Sequence, residues 1–139
     1  MFSVRKAELK DAMFLHEQLV VQHKKYNDLN YFKNHFGLFI ENPQNIVFIL
    51  MHESNVQAGC IIAEIQQGLT DRRKFVEITD FFVQTKFRKQ KGADVLYHFF
   101  EKEMEAREVF SIKVHCEIKS TLNQNFYTSN GFKYDKKMY

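Results

Sequence analysis

The sequence predicts an α/β domain with a mixed sheet and helices on both faces. Three observations lead there. Apolar strand-like runs alternate with segments of helical spacing in the order β-α-α-β-β-β-α-β-α-β. The unit from Phe75 to Ile118 reads strand, helix, strand, which implies a parallel pairing with a right-handed crossover. "NIVFILMHE" and "QAGCIIAEIQQ", separated by Ser54 and Asn55, read as an antiparallel hairpin.

Each element has its own signal. Phe2 to Lys6 is a short strand candidate. A helix is expected from about Leu9 to Tyr26, with Asp11 in its first turn, where the helix dipole favours an acid. Ala12, Leu15, Leu19 and Tyr26 fall near one face. "KKYNDLNYFKNHFGLFIEN" mixes aromatic and polar residues and reads as a loop and a second, shorter helix. Pro43, the single proline, marks a turn. The hairpin follows, and then "FVEITDFFV". Strict alternation there puts Val76, Ile78, Asp80 and Phe82 on one face and Phe75, Glu77, Thr79, Phe81 and Val83 on the other. A helix is expected from Gly92 to Ala106, with Ala93, Leu96, Phe100 and Met104 inward and Val95 and Phe99 widening the stripe. In "VFSIKVHCEI", Phe110, Ile112, Val114, Cys116 and Ile118 share a face. Thr121 and Gln124 form a capping-box pattern, Gly131 follows as a stop, and Phe132 to Tyr139 is the last strand.

Composition limits the functions. The 139 residues suffice for one domain. Hydrophobic residues make up 45% of them, which argues against disorder, and 15 Phe with no Trp must fill much of the core. The net charge of +3 is too small to imply nucleic acid. No run approaches the roughly 20 apolar residues of a membrane span, and the N-terminus lacks a signal-peptide core, so the chain reads as cytoplasmic. Cys60 and Cys116 sit in apolar strands and read as reduced core residues. The six His show no metal-ligand spacing, and no metal is expected.

One stretch points to chemistry. In "FFVQTKFRKQKGADVL" a buried strand breaks into a loop carrying Lys86, Arg88, Lys89 and Lys91, and a helix resumes at Gly92. Unpartnered N–H groups at a helix start, small residues and basic side chains together suit phosphate or pyrophosphate. A solvated basic turn is the plain alternative.

The stretch resembles the acetyl-CoA motif of the GNAT (Gcn5-related) N-acetyltransferases, in which a strand ending in Val leads to Arg/Gln-x-x-Gly-x-Gly/Ala and a helix. Arg88, Ala93 and Leu96 match. "FYTSNGFKY" resembles the family's second signature, with Tyr127, Gly131 and Phe132 in register. Lys91 stands where the family usually has its first glycine, and Ser120 where many members carry Asn. If position 91 needs φ > 0, Lys costs roughly 1 kcal/mol there.

The resemblance implies a mostly antiparallel sheet in a single domain over 1–139, acetyl-CoA as cofactor, and direct transfer of an acetyl group to a primary amine. Phe81, Phe82 and Val83 should border the pantetheine arm, with backbone groups of Phe81 and Val83 pairing to it. Phe87, Arg88, Lys89, Gln90, Lys91, Gly92 and Ala93 should surround the pyrophosphate. Tyr127 is the candidate general acid and Glu77 the candidate base, with Asp80 its competitor. Tyr26, Asp28, Tyr31 and His35 are candidates for the acceptor side, whose ligand is a small-molecule or peptide amine. A homodimer is compatible with the fold. Two other readings remain: a non-catalytic module of this fold that binds CoA or a protein partner, and a nucleic-acid module using "KFRKQK". The aromatics beside that run fit the apolar stripes better than a stacking platform.

Overall fold

A computed structural model describes residues 1–23, 28–53, 55–70 and 72–114, and at 22 and 23 the backbone alone. The strands are β1 (Phe2–Lys6), β2 (Asn45–His52), β3 (Val56–Gln67), β4 (Lys74–Val83) and β5 (Val109–Val114). The helices are α1 (Ala12–His23), α2 (Leu29–Glu41), the single turn α3 (Thr85–Arg88) and α4 (Gly92–Ala106). The sheet runs β1-β2-β3-β4-β5, antiparallel except for the parallel β4–β5 pair. The crossover through α4 is the reason for that parallel pair. The expected last helix and strand, the Thr121–Gln124 cap and Cys116 lie outside the described residues.

Apolar side chains cover both faces of the sheet. On one, Phe48, Leu50, Ile61, Ile78 and Val83 pack with Leu96, Phe100 and Met104 of α4. On the other, Val47, Ile49, Cys60 and Ile62 meet Ala12 and Leu15 of α1 and Phe36 of α2. Two covered faces explain why "NIVFIL" is apolar without alternation. Cys60 is a free, buried thiol, and burial, with Asp80 adding its charge, pushes its pKa up to about 12.

Several expectations change in detail. α2 runs 13 residues, and α1 is described for 12, as far as His23. Asp11 does not sit inside α1. It closes the 3-10 turn Leu9–Asp11 before it, and its side chain is fully buried. Arg5 binds its carboxylate with two hydrogen bonds of 2.8 Å. The Glu8 N–H donates at 2.7 Å and Gln57 Nε2 at 2.6 Å. A buried carboxylate needs such partners.

The expected strict alternation fails in both β4 and β5, each time at a bulge. In β4, Asp80 pairs with Ile62 and Ile78 with Ala63, so Thr79 is an extra residue. A bulge reverses the side-chain phase beyond it. Val76, Ile78, Phe81 and Val83 therefore share the α4 face. Glu77 is not on the face of Phe81 and Val83, and Asp80 is not opposite Glu77. In β5, Lys74 pairs with Val109 and Phe75 with Ser111, which makes Phe110 the extra residue. Phe110 is 66% exposed instead of joining the core, and Val109 takes its place beside Ile112 and Val114.

Candidate functional site

The site begins at the end of β4. The Gln84 N–H donates to the Ala58 carbonyl at 2.9 Å. With a strand period of two, Phe82 shares that direction toward β3, while Phe81 and Val83 turn their backbone groups the other way. Pairing of β4 with β5 is described from Lys74 to Ile78. Gly59 faces Val83 across the ladder. A Cβ on Gly59 would lie 2.4 Å from the Phe82 carbonyl oxygen, so only glycine lets the strands approach this closely.

The chain then makes the turn α3. Its N–H groups at Phe87 and Arg88 donate to the Gln84 carbonyl at 2.9 and 3.2 Å. Phe87 anchors it. Its ring is buried, 4.7 Å from the ring of His52 and 5.9 Å from that of Phe2. Any ligand role for Phe87 is therefore confined to its backbone. Lys86, Arg88, Lys89, Gln90 and Lys91 are exposed around the turn.

Lys91 is the N-cap of α4 and adopts φ 65°, ψ 27°, with no side-chain cap. The position that glycine usually fills is thus left-handed, and lysine accepts the strain. Val95 makes the first intrahelical bond, to the Lys91 carbonyl at 3.2 Å. The N–H groups of Gly92, Ala93 and Asp94 have no acceptor among the described residues. They give the helix start a partial positive charge. The smallness of Gly92 has a packing cause. A Cβ there would meet the Phe87 carbonyl oxygen at 3.0 Å and Leu50 Cδ2 at 3.1 Å. Ala93 packs half-buried against the core.

Arg88 does not reach over this helix start. Its Nε donates to the Val83 carbonyl at 2.7 Å, and its guanidinium carbon lies 5.9 Å from the ring centre of Phe82. Phe82 belongs to the face of α1 and α2. Glu77 and Asp80 point to that same face. Glu64 stands directly opposite Glu77 on β3, and Lys113 opposite it on β5. Lys113 Nζ sits 4.1 Å from the centre of the Phe75 ring. Glu64 was not among the sequence candidates, because only the register of the β3–β4 pair makes it a neighbour of Glu77.

The acceptor-side candidates separate. Asp28 caps α2, accepting from the Asn30 and Tyr31 N–H groups at 2.8 and 3.1 Å. The rings of Tyr31 and His35 stack one turn apart, 6.1 Å between centres, on the exposed side of α2. No hydrogen bond, ion pair or ring contact among the described residues joins either to β4. Tyr26 and Tyr127 lie outside the described residues.

Among the described residues no group of His, Cys, Asp or Glu could hold a metal, and no helix is long and apolar enough to cross a membrane. The sequence matches the acetyltransferase (GNAT) family over residues 9–132. No curated protein sequence matches it significantly. Among solved structures it is similar to a transcriptional regulator from Bacillus halodurans C-125, with 15% identity, a TM-score of 0.85 and coverage of 100% of this chain and 99% of that one. It is also similar to glucosamine-6-phosphate N-acetyltransferase from Arabidopsis thaliana, with 18% identity, a TM-score of 0.78 and coverage of 97% and 93%. A third similar structure is an aminoglycoside acetyltransferase from an uncultured soil metagenomic sample in complex with sisomicin, with 13% identity, a TM-score of 0.81 and coverage of 99% and 92%. At these identities the likeness is one of fold.

Proposed function

The chain belongs to the GNAT acetyltransferase family, and from that premise we propose that it is an acetyl-CoA-dependent N-acetyltransferase acting on a primary amine. The observation that carries this reading is the join of β4 to α4. The outward-turned Val83 backbone lies a few residues before the N–H groups of Gly92, Ala93 and Asp94, which have no acceptor among the described residues. The first suits an amide-bearing arm laid along a strand, the second a pyrophosphate. Lys86, Lys89 and Lys91 add positive charge beside it.

Acetyl-CoA, when bound, supplies the acetyl group as a thioester. The chain's part is to hold that group, free the amine of its proton and protonate the sulfur. Glu77 accepts the proton from the acceptor ammonium, directly or through water, and Glu64 beside it strengthens the pull on a cation. Tyr127 would give a proton to the leaving sulfur and take back the one that the nitrogen sheds on acylation, which closes both transfers. Asp80, on the same face as Glu77, is a third carboxylate the amine meets. Tyr31 and His35 offer an aromatic surface on the acceptor side, with Asp28 ordering the start of their helix. The acceptor class is a small amine, the kind that the glucosamine-6-phosphate and aminoglycoside acetyltransferases bear in their names. Action on a soluble amine agrees with a cytoplasmic setting.

Calorimetric titration with acetyl-CoA tests the reading, followed by a free-thiol assay over a panel of amines. Micromolar binding and thiol release with at least one amine are expected. Binding without release to any amine would leave a CoA-binding module. No binding would remove the transferase reading.

A further inference from the structure

We propose that Arg88 is a positioning residue that guards the outer edge of β4: its guanidinium occupies the Val83 carbonyl in the resting protein and must leave when a pantetheine arm is laid there. This rests on the acetyl-CoA reading above.

The contact is short, 2.7 Å from Arg88 Nε to the Val83 oxygen, as expected of a charge-assisted bond. Its direction matters more than its length. Because the Gln84 N–H is spent on Ala58, the Val83 carbonyl faces away from β3, toward the edge an extended ligand would use. A carbonyl can accept twice, so the competition is for space. The guanidinium stands in front of the oxygen, 5.9 Å from the ring centre of Phe82. The backbone of Arg88 cannot yield. Its N–H is bonded to Gln84, and Phe87 beside it is buried between Phe2 and His52. Only the side chain is at liberty to move. Swung out, it lies in the same basic turn as Lys89 and Lys91, beside the open N–H groups of α4. One residue then serves twice. It closes the edge when nothing is bound, and it adds a cation for the phosphates once released.

The test separates the two ends of the ligand. Dissociation constants for acetyl-CoA and for S-acetylpantetheine, which lacks the phosphates, are measured on wild type, Arg88→Ala and Arg88→Lys. Freeing the edge should tighten S-acetylpantetheine about tenfold in both variants. Acetyl-CoA should weaken severalfold in Arg88→Ala and stay near wild type in Arg88→Lys, which keeps the charge. In parallel, the Arg88 Nε–H resonance should be protected from exchange in the free protein and lose protection with S-acetylpantetheine. Thermal unfolding of each variant checks that the fold is intact. Acetyl-CoA binding to wild type with Nε–H still protected, or S-acetylpantetheine binding no tighter in the variants, overturns the guarding role and leaves the transferase reading standing. Failure of wild type to bind either compound overturns both.

Discussion

The molecule treats polar groups in opposite ways at two places. Around Asp11, both carboxylate oxygens have found partners. The carboxylate is fully buried and takes four hydrogen bonds, from Arg5, Glu8 and Gln57. At the start of α4, three N–H groups point outward with no acceptor among the described residues, behind a lysine held left-handed. The first arrangement joins β1, the turn before α1 and β3, and reads as stability. The second leaves donors open where the proposed acetyl-CoA would find them. Satisfaction inside and openness at the surface are both needed, because a ligand can be held only by groups that are open or that the protein can release.

The largest expected effect breaks the satisfied region. Asp11→Ala takes from Arg5 its buried partner and leaves the Gln57 and Glu8 donors unpaired, which should remove about 3 kcal/mol of unfolding free energy in urea titrations. Acid should have a related effect. Burial alone would raise the Asp11 pKa, but the hydrogen bonds from Arg5, Glu8 and Gln57, with the charge of Arg5, outweigh it and hold the carboxyl below its ordinary value. A depressed folded pKa gives stability that is complete above the unfolded carboxyl value, about 3.9. It is lost as pH falls through the folded value. Asp11→Asn should flatten that acid limb of the stability curve, and an unchanged limb would show that other carboxylates govern it.

Next comes a change beneath the open region. Gly92→Ala places a methyl 3.0 Å from the Phe87 oxygen and 3.1 Å from Leu50 Cδ2, so the turn or the helix start has to give by a few tenths of an ångström. A loss of about 2 kcal/mol is expected in thermal or urea unfolding. It would mark Gly92 as a packing glycine, and no loss would return it to the ligand side of the comparison.

A change at the open surface should leave stability alone. The double variant Arg88→Ala, Lys91→Ala should weaken acetyl-CoA binding at least tenfold by calorimetry, while shifting the urea midpoint little. Equal binding by both proteins would mean that the backbone donors act alone. The smallest effect is expected from Lys91→Gly. Relief of the left-handed strain should add about 1 kcal/mol of stability, and acetyl-CoA should bind severalfold more weakly for want of the ammonium. Glycine that raised both stability and affinity would leave the lysine without a role in holding anions.

Much of this architecture is set by local pattern. Residues that recur every second or every third to fourth position fix strand or helix within a few neighbours. For that reason β1 through β4 and α4 lie within a residue of their expected bounds. The loop between β4 and α4 was legible for the same cause, since its charges, its small residues and the helix start are contiguous in the chain. What could not be read locally depends on partners far along it. Alternation alone put Glu77 with Phe81 and Val83, but the extra residue at Thr79 exists only relative to Ile62 and Ala63 on β3. Phe110 leaves the core for the same reason, through its register on β4. Asp11 looked like a dipole residue because Gln57, 46 positions away, is invisible from its neighbourhood. Arg88 looked free because the carbonyl it holds turns outward only once β4 is paired with β3. The sequence by itself determined which segments are strands and helices and where the cations gather. Tertiary structure alone decided which face each side chain takes and which polar groups stay open, because those depend on strand register and burial, which belong to pairs of segments and not to either one.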